Sequence, residues 1–141
     1  MIFNLNQNLI SGLAKKYGLK FIILHGSYAT GKQRLDSDVD IAVVGKHDVP
    51  FGQILKLHGD MGEVLELPLS VDLDLKSLNK VDPLFRYEVT RDGKLLFGNA
   101  ADYEDFKAFS LRAYEDARPL LDLEHHLARK FQVYLNSLYA Q

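Results

Sequence analysis

Residues 21–44 read FIILHGSYATGKQRLDSDVDIAVV, and this segment determines the architecture of the chain. An apolar strand ends in the small-residue turn Gly26-Ser27, and ten residues later Asp38-Val39-Asp40 begins a second apolar strand. Because alternate residues of a strand point to the same face, Asp38 and Asp40 project together while Val39 points into the core. Two like charges side by side are destabilising unless a cation lies between them. Since Mg²⁺ prefers carboxylate oxygens, the aspartate pair predicts a divalent metal site.

The composition is that of a single globular domain. The chain has 141 residues, which is long enough to bury a core. It has no cysteine, so disulfides, thiolate zinc sites and cysteine catalysis are excluded. Its first residues lack the charged start and apolar run of a signal peptide, and no apolar run approaches the roughly 20 residues that span a bilayer. We therefore expect a cytoplasmic protein with no membrane partner.

The formal net charge of −2 conceals an uneven distribution of charge along the chain. Every acidic residue lies at position 36 or beyond, whereas residues 1–35 carry five cations: Lys15, Lys16, Lys20, Lys32 and Arg34. A local positive field favours a polyanionic ligand such as a nucleoside triphosphate. The first three cations are interpreted as solvated surface, but Lys32 and Arg34 lie inside the motif and are candidates for phosphate contact. Without an overall basic charge, no direct nucleic-acid binding is expected.

Apolar periodicity and turn residues predict an alternation of helices and strands. The predicted elements are a helix over 4–17 ending at Gly18, strands over 20–25 and 38–44, a helix over 51–67, a strand over 69–75, a helix from Asp82 to about 91, a strand over 94–97, and helix over 101–140 that Pro119 should kink or divide. The link between the first two strands is too short for a crossover helix, so they are either antiparallel or joined by a short helix near 28–31.

This order predicts an α/β (α+β) fold, a small mixed sheet with flanking helices and a long C-terminal helical segment. Residues 1–100 form the main domain, and residues 101–141 form a helical extension packed on it. One face of the sheet should be acidic, because Asp72 and Asp74 alternate with apolar residues on the predicted third strand. Either of these two carboxylates could join the Asp38–Asp40 pair.

These residues resemble the nucleotidyltransferase superfamily that includes DNA polymerase beta, and most closely its minimal, MNT-type branch. The pattern is an apolar strand, Gly-Ser, about ten residues, Ser-Asp-apolar-Asp-apolar, and a third acid on a neighbouring strand. Here the segment 23–43 carries the first parts and Ser70-Val71-Asp72-Leu73 the last. The resemblance covers about residues 4–98. One departure is Thr30, which stands where members often have a basic residue, so Lys32 or Arg34 is expected to supply that charge.

The resemblance implies two-metal nucleotidyl transfer with ATP as substrate. Asp38, Asp40 and Asp72 are the implied catalytic residues and ligands of two Mg²⁺ ions, and the family pattern favours Asp72 over Asp74. The implied nucleotide-binding residues are Gly26, Ser27, Lys32 and Arg34. His25 is interpreted as structural, and Tyr28 could either stack on a base or pack on the sheet.

The resemblance also implies a partner, because MNT-type proteins of this size are commonly paired with a HEPN-domain toxin. The chain would be the antitoxin of that pair, in a hetero-oligomer, and would silence the toxin RNase by transferring AMP from ATP to one of its tyrosines. The HEPN signature, Arg, four residues, His, one residue, Tyr, is absent from the sequence, so the chain is not itself that RNase. Two alternatives are a small-molecule transferase of the aminoglycoside type and a non-catalytic antitoxin that acts by binding alone.

The C-terminal segment is richer in apolar and aromatic residues than one small sheet requires. Two interpretations of this surplus stay open. It either forms a partner site, as exposed apolar surface often does, or completes the core of the domain.

Overall fold

A computed structural model describes residues 5–140 of the chain. The elements, in chain order, are α1 (Gln7–Tyr17), β1 (Leu19–His25), α2 (Ser27–Thr30), β2 (Val39–Gly45), α3 (Phe51–Leu65), β3 (Leu73–Ser77), α4 (Pro83–Asp92), β4 (Lys94–Phe97) and α5 (Ala100–Tyr139). The predicted start of the first helix at residue 4 lies outside the described residues.

The sheet is mixed, as predicted, with strand order β3-β2-β1-β4. β1 runs antiparallel to both β2 and β4, and β2 runs parallel to β3. Both expectations for the first link are met, because β1 and β2 are antiparallel and the short helix α2 lies between them. The parallel pair is joined through α3, as a parallel connection requires.

The predicted caps of two helices are confirmed. α1 ends at Gly18, whose φ of 62° is the left-handed conformation typical of a helix C-cap. α4 begins with Pro83 at its first position, and the Asp82 side chain accepts a hydrogen bond from the Leu84 backbone N–H at 2.7 Å. These caps fix where each helix meets the sheet.

The two faces of the sheet are covered by different helices. One face packs against α1 and α3, with residues such as Ile10, Leu57 and Met61 fully buried. The other face packs against α4 and the first turns of α5; its buried residues are Phe21, Ile23, Ala42, Val44, Leu78, Val89 and Tyr103. Because Ala42 and Val44 lie on this second face, Asp40, two residues earlier on β2, lies on the same face.

The predicted third strand is displaced in the structure. β3 covers Leu73–Ser77, whereas the alternation of apolar residues predicted 69–75, so the prediction is wrong at both ends. The chain leaves α3 through Glu66 in the left-handed conformation and turns at Pro68, whose carbonyl accepts from the Val71 N–H at 3.0 Å. Leu69 is fully exposed as a result. The alternation of apolar and polar residues continues through this turn, so the alternation does not show where β3 begins to pair with β2.

α5 is one helix of 40 residues that runs through Pro119, so of the two predicted effects of this proline, a kink or a division, the division is wrong. About 19 helical residues precede the proline and 20 follow it, so each side is long enough to stay helical despite one missing backbone donor. Within residues 5–140, no helix combines the length and apolar character needed to cross a membrane.

Candidate active site

The centre of the site is a pair of carboxylates from neighbouring strands. In the parallel register of β2 and β3, Asp40 lies opposite Asp74. Burial, the charge of Asp74 and the charge of Asp38, in decreasing order, raise the pKa of Asp40 above its usual value, and a hydrogen bond between Asp40 and Asp74 adds to this effect. A raised pKa means that negative charge is destabilised at this position.

The Gly-Ser turn lies directly against Asp40. Gly26 follows the end of β1 with φ 69° and ψ −153°, a conformation that side chains other than hydrogen rarely allow. A Cβ at this position would lie 2.1 Å from Oδ2 of Asp40. The glycine therefore permits the backbone of the turn to touch the carboxylate, and it places the turn and the acidic pair in one site.

We expect Gly26→Ala to destabilise the protein by about 1–3 kcal/mol through backbone strain, with an added cost because the new Cβ displaces Asp40. The measurement is urea unfolding followed by circular dichroism. Gly31→Ala is the matched control, since Gly31 also has positive φ, 75°, but a Cβ added there would meet no described atom within 4 Å. Equal losses of stability in the two variants would contradict a close contact between residue 26 and Asp40.

Ser27 begins α2 and is half-buried, one residue from the Gly26 contact. The carbonyl of Gly26 accepts from the N–H groups of Ala29 and Thr30 at 3.1 and 3.3 Å, which fixes the turn. Tyr28 is 7 % exposed and belongs to the core cluster on the α1 and α3 face. Of the two interpretations of Tyr28, packing on the sheet is therefore the one that the structure supports.

The loop between α2 and β2 carries the remaining predicted residues. Lys32, Arg34 and Asp38 lie on the exposed stretch before β2, with Asp38 at its end. The Arg34 N–H donates to Oγ of Ser37 at 2.7 Å and the Ser37 N–H donates to the Arg34 carbonyl at 3.1 Å, so a tight turn precedes Asp38. Hydrogen bonds from the preceding arginine lower the pKa of Asp92 at the end of α4, and the charge of Lys32 adds to that shift. Both cations of the loop are exposed, Lys32 lies near the end of α4, and their roles in phosphate binding remain predictions.

The structure brings Asp74, and not Asp72, against Asp40. Asp72 precedes β3, is exposed, and contacts β2 through its carbonyl, which accepts from the Val39 N–H at 2.9 Å. Its charge is not among those that shift the pKa of Asp40. The family pattern favoured Asp72, so the third carboxylate indicated by the geometry differs from the one indicated by the motif, and the role of either carboxylate stays a prediction.

One side chain near the carboxylates was not singled out from the sequence. Lys76 Nζ lies 3.3 Å from an oxygen of Asp74, and it also lies 5.2 Å from the centre of the Phe85 ring of α4. Its charge lowers the pKa of Asp40, which partly opposes the larger effects of burial and the neighbouring aspartates. Lys76 could have been identified from its position two residues after Asp74, because residues i and i+2 of a strand point to the same face.

His25 completes a row across three strands, since it pairs with Asp40 in the antiparallel register of β1 and β2. It is 9 % exposed, and its ring lies 6.0 Å from that of Phe85 at 80°. Burial lowers its pKa, although the charge of Asp74 opposes that shift. Its Nε2 has no hydrogen-bond partner among the atoms of residues 5–140. Its packing agrees with a structural role, and a role in catalysis is untested.

The carboxylates of the site have the chemistry that a Mg²⁺ ion requires. Across the part of the chain that the structure describes, no three acidic or histidine side chains converge closely enough to hold a metal ion. Asp40 and Asp74 do meet, Asp38 is near enough to shift the pKa of Asp40, and the three carry more negative charge than Lys76 offsets. Mg²⁺ needs only one or two protein carboxylates when water and phosphate complete its shell, so the residues present fit such an ion.

The fold and this site together define a nucleotidyltransferase. Residues 7–102 match the family described as polymerase beta, nucleotidyltransferase, and the chain belongs to that family. The resemblance drawn from the motif is therefore confirmed.

Known relatives agree with this assignment. The chain is 31% identical over 113 residues to protein adenylyltransferase MntA of Shewanella oneidensis, a match that covers 79% of this chain and 78% of the relative. A toxin–antitoxin crystal structure with AMP-PNP matches with a TM-score of 0.67 and 28% identity, over 83% of this chain and 96% of the other. A complex of tri-AMPylated Shewanella oneidensis HEPN toxin with MNT antitoxin matches with a TM-score of 0.62 and 26% identity, over 84% and 94%.

Proposed function

We propose that this chain is the antitoxin of a toxin–antitoxin pair and that it transfers AMP from ATP to a tyrosine hydroxyl of a HEPN-domain toxin. Similarity to a protein adenylyltransferase and to antitoxins in complexes with nucleotide or with an AMPylated toxin supports this proposal. The observation that carries it is the contact between the Gly26 turn and Asp40, which is itself paired with Asp74. A phosphate-binding turn and an acidic pair in contact are what nucleotidyl transfer requires.

The triphosphate of ATP would bind at the turn. Gly26 allows the backbone to approach the phosphates, and the hydroxyl and backbone N–H of Ser27 donate to the β and γ phosphate oxygens, since the N–H groups of Ala29 and Thr30 already donate to the Gly26 carbonyl. Lys32 and Arg34 are exposed on the adjoining loop, and they would add positive charge beside the solvent-exposed phosphates of ATP.

Asp40 and Asp74 would hold Mg²⁺, with the charge of Asp38 beside them and with Asp74 in the position for which the family pattern favoured Asp72. When bound, the metal neutralises negative charge on the attacking and leaving oxygens of an in-line displacement. Burial and the charges of Asp74 and Asp38 raise the pKa of Asp40, and a cation bound there would offset these effects.

The transfer requires only ATP and the tyrosine hydroxyl as reactants. The tyrosine hydroxyl oxygen forms a bond to the α-phosphorus while the bond from that phosphorus to the bridging oxygen of the β-phosphate breaks, and pyrophosphate leaves. The hydroxyl proton passes to a carboxylate oxygen of Asp74, which lies beside the partly buried Asp40. The turn and the carboxylates hold the donor in line, and the partner protein supplies the acceptor.

The proposal is tested by incubating the full chain with ATP labelled on the α-phosphate, Mg²⁺, and either a purified HEPN-domain protein encoded beside it or a panel of aminoglycosides. We expect label on a tyrosine of the HEPN protein, located by mass spectrometry, together with loss of its RNase activity. Label on a drug alone would replace the proposal by small-molecule transfer. RNase inhibition without label would mean an antitoxin that acts by binding alone.

A further inference from the structure

We propose that the C-terminal part of α5 pairs with the same part of a second copy of this chain, in antiparallel orientation. We call residues 117–138 the arm. This inference is independent of the proposed catalysis, because the arm follows the residues 7–102 that match the family.

The arm extends beyond the body of the protein. α5 packs on α4 through its first half, where the Tyr114 ring stacks on that of Tyr87 at 4.8 Å. From residue 122 to residue 139 every side chain is exposed except the half-buried Leu135. Six large apolar or aromatic side chains of the arm are more than half exposed: Leu120 61%, Leu127 54%, Phe131 60%, Val133 65%, Tyr134 57% and Leu138 52%. An amphipathic helix gains most of its stability by burying its apolar face, and this one does not bury it within the monomer.

The exposed residues follow the spacing of a coiled-coil seam. Positions separated alternately by three and four residues are Ala117, Leu120, Glu124, Leu127, Phe131, Tyr134 and Leu138. A repeat of this kind over three heptads is typical of a helix that pairs with another helix along its length. At 1.5 Å per residue the seam is about 33 Å long. Glu124 is its one polar member.

The sizes of the seam residues favour an antiparallel second copy. When Leu120 is placed opposite Phe131 of the second copy, Ala117 falls opposite Tyr134 and Glu124 falls opposite Leu127. The smallest residue of the seam, Ala117, then faces the large Tyr134, and Glu124 does not face a second glutamate. In a parallel pair each residue would instead face its own copy. Ala117 against Ala117 would leave a gap, Tyr134 against Tyr134 would be crowded, and the two Glu124 carboxylates would repel each other.

The charges of the segment favour the same orientation. Residues 115–124 contain Glu115, Asp116, Asp122 and Glu124 against Arg118 alone, four acids less one base, for a net charge of −3. Residues 125–139 contain Arg129, Lys130 and no acid, for a net charge of +2. Antiparallel pairing lays each acidic half along the basic half of the other copy, and it also opposes the two helix dipoles. This self-complementarity is why a second copy, rather than another protein, is the proposed occupant.

The first test is the mass of the full chain in solution by sedimentation or light scattering. We expect the native chain to be a dimer of 16.0 kDa subunits, and Phe131→Asp to shift it to the monomer with an at least roughly 100-fold weaker dimerisation constant. Val133→Asp is the matched control, since Val133 is 65% exposed but lies outside the seam, and it should stay dimeric. Circular dichroism and AMP transfer confirm that each variant is folded. A monomeric native chain, or a dimer that survives Phe131→Asp, would overturn the proposal.

The second test is the orientation, and the absence of native cysteine makes it direct. A mixture of Leu120→Cys and Phe131→Cys chains should form a disulfide between the two variants, while neither variant alone should form one. Disulfides within each single variant would mean a parallel pair. If instead the native chain is monomeric alone and Phe131→Asp abolishes its complex with the HEPN protein, the arm belongs to that partner and the proposal is wrong.

Discussion

Asp40→Asn is expected to abolish AMP transfer, with a rate at least roughly 10³-fold below that of the native chain. Asparagine keeps the shape of the side chain and its contact with the Gly26 turn, but it removes the negative charge that would hold the metal among Asp38, Asp40 and Asp74. The measurement is the initial rate of α-labelled AMP incorporation at saturating Mg²⁺ and ATP. Asp38→Asn should lose activity in the same direction.

Two controls separate lost chemistry from lost folding in this variant. Asp36→Asn changes an exposed carboxylate of the same loop and should keep native activity. Asp40→Asn should itself be slightly more stable than the native chain at pH 7. The folded state raises the pKa of Asp40, so ionisation of Asp40 costs stability at every pH above its unfolded value of about 3.8. Removing that charge should raise Tm slightly at pH 7, and the gain should vanish near pH 3, where the carboxyl is protonated in both states. Native activity in Asp40→Asn would exclude the proposed metal site.

The second large effect distinguishes the two candidates for the third carboxylate. Asp74→Asn is expected to lower the rate of transfer at least roughly 10²-fold, since Asp74 is the residue paired with Asp40 and the proposed proton acceptor. Asp72→Asn should change it by less than about threefold, because Asp72 is exposed ahead of β3 and does not shift the pKa of Asp40. Both variants are compared in the same labelled-ATP assay. The reverse order of losses would restore the assignment that the family pattern favours.

Most of the fold was predictable because its signals are local. The caps at Gly18 and Asp82, the apolar strands around Gly26 and Asp38, and the short link between them each depend on a few adjacent residues. The start of β3 was not predictable, because the apolar–polar alternation begins at Leu69, within the turn that leads out of α3, and only the structure shows that this turn precedes the strand.

The sequence pattern indicated which residues share a face, but it did not give the strand register that brings particular residues into contact. The pairing of Asp40 with Asp74 depends on the register of two parallel strands, and the position of Lys76 beside them depends on the same register. The continuity of α5 through Pro119 depends on the helical lengths on either side. In each case residue type indicated what chemistry was available, and the tertiary structure determined where it is placed.

Lys76 gives the resting protein an internal counterion. Its ammonium lies 3.3 Å from Asp74 and offsets part of the negative charge that Mg²⁺ would otherwise neutralise. The carboxylates can therefore lie close together in the folded protein without a bound metal. A free Mg²⁺ ion must compete with the Lys76 ammonium for the carboxylates. Mg²⁺ that arrives bound to ATP brings phosphate oxygens, and the displaced Lys76 ammonium can bind to them. We therefore expect metal and nucleotide to load together, with weak occupancy by either one alone.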